Sequence, residues 1–332
     1  MTQERLALAM EARQRLENLR AGAQFLTLLD SVREKGWLAF LAEPRTLDEL
    51  AEFTGLPSAR VADVLTALEE NGVVGQENGK VRLTGPFDAV IADDAWISLG
   101  DKLAHIALES RLIRAAVSSP EPLSLTEEDA LVVANAVGGR TTDVSLTLYG
   151  QLLAQLPELG ELPRLGRWLD VGCGVACASL TLASRIPEMR AVAVELVPTI
   201  AEEAVRRAKA LGIADRVEIR QMDARDLPER DVFVGAFWAQ PFFPMPTRAA
   251  TLAVILQALQ PGGSLFVQEI EPAPSEEGRP AYAVRQVIGR GLDTWFGPTA
   301  EQLAEEAVAA GFKLDRIAQT DFGRMVVVRK PA

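Results

Sequence analysis

From about residue 163 onward, short runs rich in Val, Leu, Ile and Ala alternate with stretches of helical spacing. The pattern predicts strands at 167–171, 190–195, 216–221, 231–237 and 263–270. Helices are predicted between them near 177–186, 198–211 and 247–259. Strands separated by helices cannot pair as hairpins, so the first five must lie parallel in a sheet covered by its crossovers. The end of the chain breaks that rhythm. A helix over 299–310 is followed by KLDRIAQT, a turn at Asp321-Phe322-Gly323 and RMVVVRK. A hairpin there makes the last strand antiparallel. The fold class expected for this half is therefore α/β, a Rossmann-like sheet with a carboxyl-terminal antiparallel hairpin.

The amino-terminal part reads differently. Residues 5–40 have apolar residues at helical spacing, and Thr46 with Glu49 forms a capping box for a short helix that Gly55 stops. Ser58 is expected to cap a second helix carrying Val61, Val64, Leu65 and Leu68 on one face. Two short strands joined at Glu77-Asn78-Gly79 follow, which completes a winged-helix module. Residues 95–160 are expected to be mostly helical, with breaks at Ser118-Ser119-Pro120 and Gly138-Gly139. The resulting division is a winged-helix-like dimerisation domain over 1–95, a helical connector and substrate lid over 96–160, and a cofactor-binding domain over 161–332.

Charge bears on partners. The 332-residue chain has a formal charge of −12, and such a surface repels phosphate backbones. The second helix of the winged module, 58–71, sets Arg60 against Asp63, Glu69 and Glu70, which is the wrong field for a recognition helix. No nucleic-acid partner is expected. No run of about 18 apolar residues is present, and the amino terminus lacks the apolar core of a signal peptide. A cytoplasmic protein with no membrane partner is expected. Cys173 and Cys177 are expected to be reduced small residues in a turn. With one His in the chain, no metal centre is expected.

The chemistry concentrates around WLDVGCGVACASLTLA. Gly172 and Gly174 let the backbone turn tightly and pass close to a ligand at a helix start. A dinucleotide fingerprint needs a third Gly where Cys177 stands. Asp170, Gly172, Gly174 and Ala176 instead fit a D-x-G-x-G-x-(G/A) run. Glu195 ends AVAVE, where it can accept hydrogen bonds from ribose hydroxyls. Asp223, in MDARDL, can accept from an amino group such as adenine N6. Each of these acids lies at the carboxyl end of a strand, where open α/β sheets bind ligands. LQPGG is a helix-to-strand turn leading into the fifth strand.

LDVGCGVA, VAVE, the MDARDL acid and LQPGG together resemble the class I S-adenosylmethionine (SAM)-dependent methyltransferases. With the winged-helix lobe and the helix TAEQLAEEAVAAGF, nearly the whole chain resembles the small-molecule O-methyltransferases of bacteria and plants. The resemblance implies SAM as cofactor, S-adenosylhomocysteine (SAH) as product, a small-molecule substrate and a homodimer made by the amino-terminal lobe. It also implies that Gly172 and Gly174 approach the methionine part of SAM, Glu195 the ribose, and Met222 with Asp223 the adenine. Asp170 and Phe237 complete the expected cofactor set.

One position departs from that family. Its members usually carry a His general base nine residues after the acid that opens the fourth strand. Counting from Asp231 in DVFVGAFWAQ, this chain has Gln240, and an amide cannot take up a proton near neutral pH. The family's Lys on that strand is replaced by Ala236. Two other residues are candidates for the missing base, Glu269 at the end of FVQE and His105 in the connector. Arg140 is a candidate to hold a carboxylate. Trp238, Phe242 and Phe243 are candidate walls of an aromatic substrate site, with Trp295 as a lid. The reading is SAM-dependent methyl transfer, to O, N or C of an aromatic or apolar metabolite, by proximity without that base. Two alternatives use the same features: a SAM-bound enzyme that does not transfer the methyl, and a winged-helix regulator that senses SAM.

Overall fold

The computed structural model describes residues 2–332, which fall into two compact units divided between 103 and 104. The first unit opens with a 33-residue helix, α1 (Thr2–Glu34), followed by α2 (Trp37–Phe40), α3 (Leu47–Thr54) and α4 (Ser58–Glu70). Then come β1 (Val74–Glu77), β2 (Lys80–Leu83) and α5 (Gly85–Ile91). Leu29, Trp37, Leu50, Val61, Leu68 and Val81 form its core. The capping box stands as expected: Thr46 N donates to Glu49 Oε2 at 2.7 Å, and Glu49 N donates to Thr46 Oγ1 at 3.2 Å. Gly55 ends α3 in the left-handed region. Ser58 is not a cap. Extended Pro57 holds the cap position and Ser58 is already helical, so α4 starts with no side-chain cap. Asn78 and Gly79 both have positive φ, the two-residue turn that suits the right-handed twist of a hairpin.

Helix α6 (Leu99–Ala116) runs across the division between the units. The connector expected over 96–160 is not a compact unit of its own. Residues from 104 on, including α7 (Glu127–Gly138), α8 (Asp143–Gln155) and α9 (Glu158–Leu165), belong to the second unit. Packing explains this: Leu152, Leu156 and Leu159 share a core with the sheet.

The sheet of the second unit contains β3 (Arg167–Val171), β4 (Arg190–Glu195), β5 (Val217–Gln221), β6 (Phe233–Trp238) and β7 (Leu259–Gln268). Its crossover helices are α10 (Cys177–Arg185), α11 (Pro198–Ala210) and α12 (Met245–Ala258). The closing segment holds α13 (Arg279–Gly291), α14 (Ala300–Ala309), β8 (Lys313–Thr320) and β9 (Gly323–Arg329). Strand order is β5-β4-β3-β6-β7-β9-β8, with β3 to β7 parallel and β9 antiparallel to both its neighbours. This is a Rossmann-like sheet with the antiparallel hairpin at one edge.

Alternation along the strands builds two cores. Leu169 and Val171 face α12 and α14 with Leu252, Ile255 and Leu303. Trp168 faces α8 to α11 with Leu180, Ala183 and Ala204. β6 begins at Phe233 and not at Asp231. Asp231 sits at φ 55°, outside the strand, and its carboxylate pairs with Lys330 at 2.6 Å. β7 begins at Leu259, so the expected LQPGG turn lies within its span, where the β6–β7 register shifts. Glu269 therefore lies just past the strand.

Candidate active site

The loop after β3 is the centre of the site. Val194 O on β4 accepts from both Gly172 N and Cys173 N at 3.0 Å, which turns the chain sharply over the strand ends. Gly172, Gly174 and Ala176 all have positive φ. The two glycines tolerate this freely, whereas Ala176 does so at a cost of roughly 1 kcal/mol or more. The glycines serve different needs. A Cβ on Gly172 would fall 2.6 Å from Phe243 Cε2, so this chain's own ring fills the space above it. A Cβ on Gly174 would meet nothing within 4 Å, so the loop faces open space there.

Glu195 is 8% exposed and locked beside that loop. Its Oε2 accepts from Gly174 N at 3.0 Å and its Oε1 from Val197 N at 2.9 Å. Burial raises its pKa above the usual carboxylate range, and the two amides partly offset this. Met222 N donates to Glu195 O at 2.9 Å, so the ends of β4 and β5 meet. Asp223 follows, chelated by Arg225, which donates through Nε at 3.0 Å, Nη2 at 2.6 Å and its backbone N at 2.9 Å. These bonds hold the Asp223 carboxyl below its ordinary value. The structure thus brings Gly174, Glu195, Met222 and Asp223 together along one rim.

Asp170 points away from that rim. It lies on the α10 side of the sheet, 2% exposed, and accepts from Ser179 Oγ at 2.6 Å. It borders a cavity of about 50 Å³ with Tyr149, Trp168, Phe237, Gln268 and Phe322. Burial pushes its pKa up to about 6, against the Ser179 hydrogen bond, with Glu195 adding to the rise. Burial likewise raises Cys173 and Tyr149. Phe237 pairs in register with Asp170 and shares the cavity.

The end of β6 differs most from expectation. Trp238 is 1% exposed and belongs to the α12–α14 core, because alternation turns it to the face opposite Phe237. It is a core residue that meets Phe243 in a T-shaped contact, with ring centroids 5.5 Å apart. Gln240 is also buried, and Arg248 holds it: Nη1 donates to Gln240 O at 2.8 Å and to Oε1 at 3.0 Å. Arg248 further donates to both oxygens of Glu306 at 2.7 Å. Its guanidinium lies between the rings of Trp238 and Trp295, 4.7 and 5.2 Å from their centroids. Trp295 is half-buried against this arginine. Phe242 is 51% exposed.

Glu269 is 4% exposed and both of its oxygens are committed to charged hydrogen bonds. Arg324 donates to it through Nε at 2.7 Å and Nη2 at 2.6 Å, and Ala300 N donates at 3.1 Å, so Glu269 fastens the start of α14. His105 is half-buried on α6, and Arg140 is half-buried after the α7 break. The anchors Arg248 and Arg324 were missed by sequence reasoning. An Arg inside an apolar helix such as ATLAVILQA's was the available signal for Arg248. Among the described residues, no group of three or more His, Cys, Asp or Glu side chains is placed to hold a metal ion. No helix there is long and apolar enough to cross a membrane.

A parallel sheet with a glycine-rich first turn and acids ending the next two strands defines a cofactor-binding α/β protein of the methyltransferase type. Residues 169–263 match the family model described as a methyltransferase domain, and residues 38–80 match that of the DprA winged helix domain. The methyltransferase-domain match falls entirely within the second unit. A curated relative, release factor glutamine methyltransferase of Cereibacter sphaeroides, is 30% identical over 144 residues, 43% of this chain and 47% of its own length. The chain thus spans about half the length of that relative. Among solved structures, mitomycin 7-O-methyltransferase MmcR is similar over 98% of this chain and 99% of its own, at 19% identity and TM-score 0.73. Human N-acetylserotonin methyltransferase, solved with SAM, is similar over 97% and 98%, at 14% identity and TM-score 0.73. At these identities the likeness is one of fold.

Proposed function

We propose that this chain is a SAM-dependent methyltransferase for a small aromatic or apolar metabolite, and that it works without the general base of the family it resembles. The observation that carries the cofactor reading is the Glu195 carboxylate, fixed by the amides of Gly174 and Val197 beside Met222 and Asp223. Each oxygen keeps acceptor capacity for a ribose hydroxyl. Gly172 and Gly174 would hold the methionine part, and Met222 with Asp223 the adenine. When bound, SAM supplies an electrophilic methyl on a sulfonium. The Glu195 carboxylate would favour that positive charge, and burial keeps Cys173 in the loop a neutral thiol.

The base-free reading rests on two arginines. Arg248 occupies the amide of Gln240, and Arg324 occupies both oxygens of Glu269. What these residues leave is positioning, with Phe243 over the loop and exposed Phe242 beside it. Positioning is worth roughly 7–11 kcal/mol, whereas a general base adds about 10²–10⁴-fold. The acceptor is then a group already nucleophilic near neutral pH: an amine, an enolate, a carboxylate or an acidic phenol. A screen of such acceptors, scored by SAH release in step with methylated product, tests the reading. SAH without methylated product, or product without SAH, counts against methyl transfer. A pH–rate limb between 5 and 8 that His105→Gln or Glu269→Gln abolishes counts against the base-free mechanism.

The chain is further proposed to act as a cytoplasmic homodimer that does not bind nucleic acid. Leu6, Leu8, Met10, Leu16 and Leu19 leave apolar surface exposed along α1, which supports self-association. Light scattering after gel filtration would show twice the chain mass. Salt-dependent retardation of DNA fragments would instead favour a regulator.

A further inference from the structure

The break between α7 and α8 is built more tightly than a surface turn needs. Gly138 ends α7, and Gly139 follows with φ 74° and ψ −163°, a conformation nearly closed to other residues. A Cβ on Gly138 would lie 3.0 Å from Val175 Cγ2, so the break leans directly on the glycine-rich loop. Two residues on, Thr141 Oγ1 and buried Thr181 Oγ1 on α10 are 3.1 Å apart. Arg140 lies between these two attachments.

One residue holds this segment from behind. Arg207 on α11 donates from Nη1 to Gly139 O at 2.6 Å and from Nη2 to Asn135 Oδ1 at 2.7 Å. Its Nε donates to Glu203 Oε1 at 2.7 Å, and its side chain is 12% exposed. A planar guanidinium bonded in three directions fixes its partners more rigidly than an ammonium can. α11 starts three residues after Glu195, and Thr199 near its start donates to Glu127 O at the far end of α7. α7 therefore docks along the helix that follows Glu195.

We propose that Arg207 is a positioning residue for the cofactor site: it pins the 135–141 turn onto Val175, so that the turn, the glycine-rich loop and Glu195 form one rigid wall. The proposal rests on the reading that this wall holds SAM. Arg207 touches neither cofactor nor substrate in this role. It acts by removing freedom that binding would otherwise have to remove.

The test is calorimetric titration of the full chain with SAM and with SAH, alongside hydrogen exchange of the 135–141 segment. Arg207→Met should weaken both ligands by about tenfold, because binding must then order the segment that Arg207 holds in place, and should speed exchange in that segment. Arg207→Lys, which keeps one charged hydrogen bond, should recover part of the affinity. Wild-type affinity in folded Arg207→Met, or no recovery in Arg207→Lys, overturns the proposal. If Arg207→Met does not fold, Gly138→Ala decides, because it crowds Val175 with Arg207 in place. It should weaken both ligands, and unchanged affinity overturns the proposal. A wild-type chain that binds neither SAM nor SAH overturns the cofactor reading itself, and this inference with it.

Discussion

Asp170 is a carboxylate placed where water barely reaches, and that burial, which disfavours its ionised form, pushes its pKa up to about 6. The sign follows from linkage. Between the ordinary value of 3.8 and about 6, the folded chain holds a proton that the unfolded chain releases, so this stabilisation is lost as pH rises through that window. Asp170→Asn keeps an acceptor for Ser179 and removes the penalty. It should stabilise the chain at pH 7.5 by up to about 3 kcal/mol, at 1.4 kcal/mol per pKa unit, with the gain shrinking towards pH 4. Urea unfolding at both pH values measures this, and a gain independent of pH would refute it. Glu195→Ala should weaken SAM binding by roughly 1–3 kcal/mol, since a charged acceptor is lost; calorimetry with unchanged affinity would count against the cofactor assignment. The glycines and acids of this rim were legible in the sequence because strand ends fix them locally. The Phe243 ring over Gly172 was not legible, since residues seventy-one apart meet there only after the sheet has assembled.

At the scale of elements, the parallel strands and their helices follow from periodicity, and the discrepancies lie at their ends. Pro57 displaced Ser58 as cap, and the left-handed Asp231 delayed β6. The face that Trp238 takes depends on where β6 starts and how it registers against β3, and sequence spacing did not settle that. Two arginine anchors then tie elements distant in sequence: Arg248 joins the β6 end to α14, and Arg324 joins β9 to the start of α14. Glu269→Ala should destabilise the chain by about 2–3 kcal/mol, because charged hydrogen bonds are lost and Arg324 stays one-third exposed to water. Denaturant midpoints for the variant and wild type test this. A neutral result would mean that α14 is held well enough by its Thr299 capping box, its apolar face and the remaining Arg248–Glu306 and Arg324–Glu301 pairs.

The whole molecule is two units, and ligand binding should distinguish them. SAH at 100 times its dissociation constant should stabilise the unit that binds it by about 2.7 kcal/mol. Calorimetric melting should show that gain in the 104–332 unit. A shift carried by 1–103 would place the ligand elsewhere. The guanidinium of Arg248 has a consequence for how this molecule could change over generations. Gln240→His alone would put an imidazole in a sealed slot, remove the acceptor Arg248 uses there, and still leave the ring facing a cation. A base at this position would need Arg248, Glu306 and the stacked tryptophans to be exchanged as a set. On the base-free reading proposed above, Gln240→His alone therefore supplies no working base, and the exposed surface around Phe242 is the more open place for change.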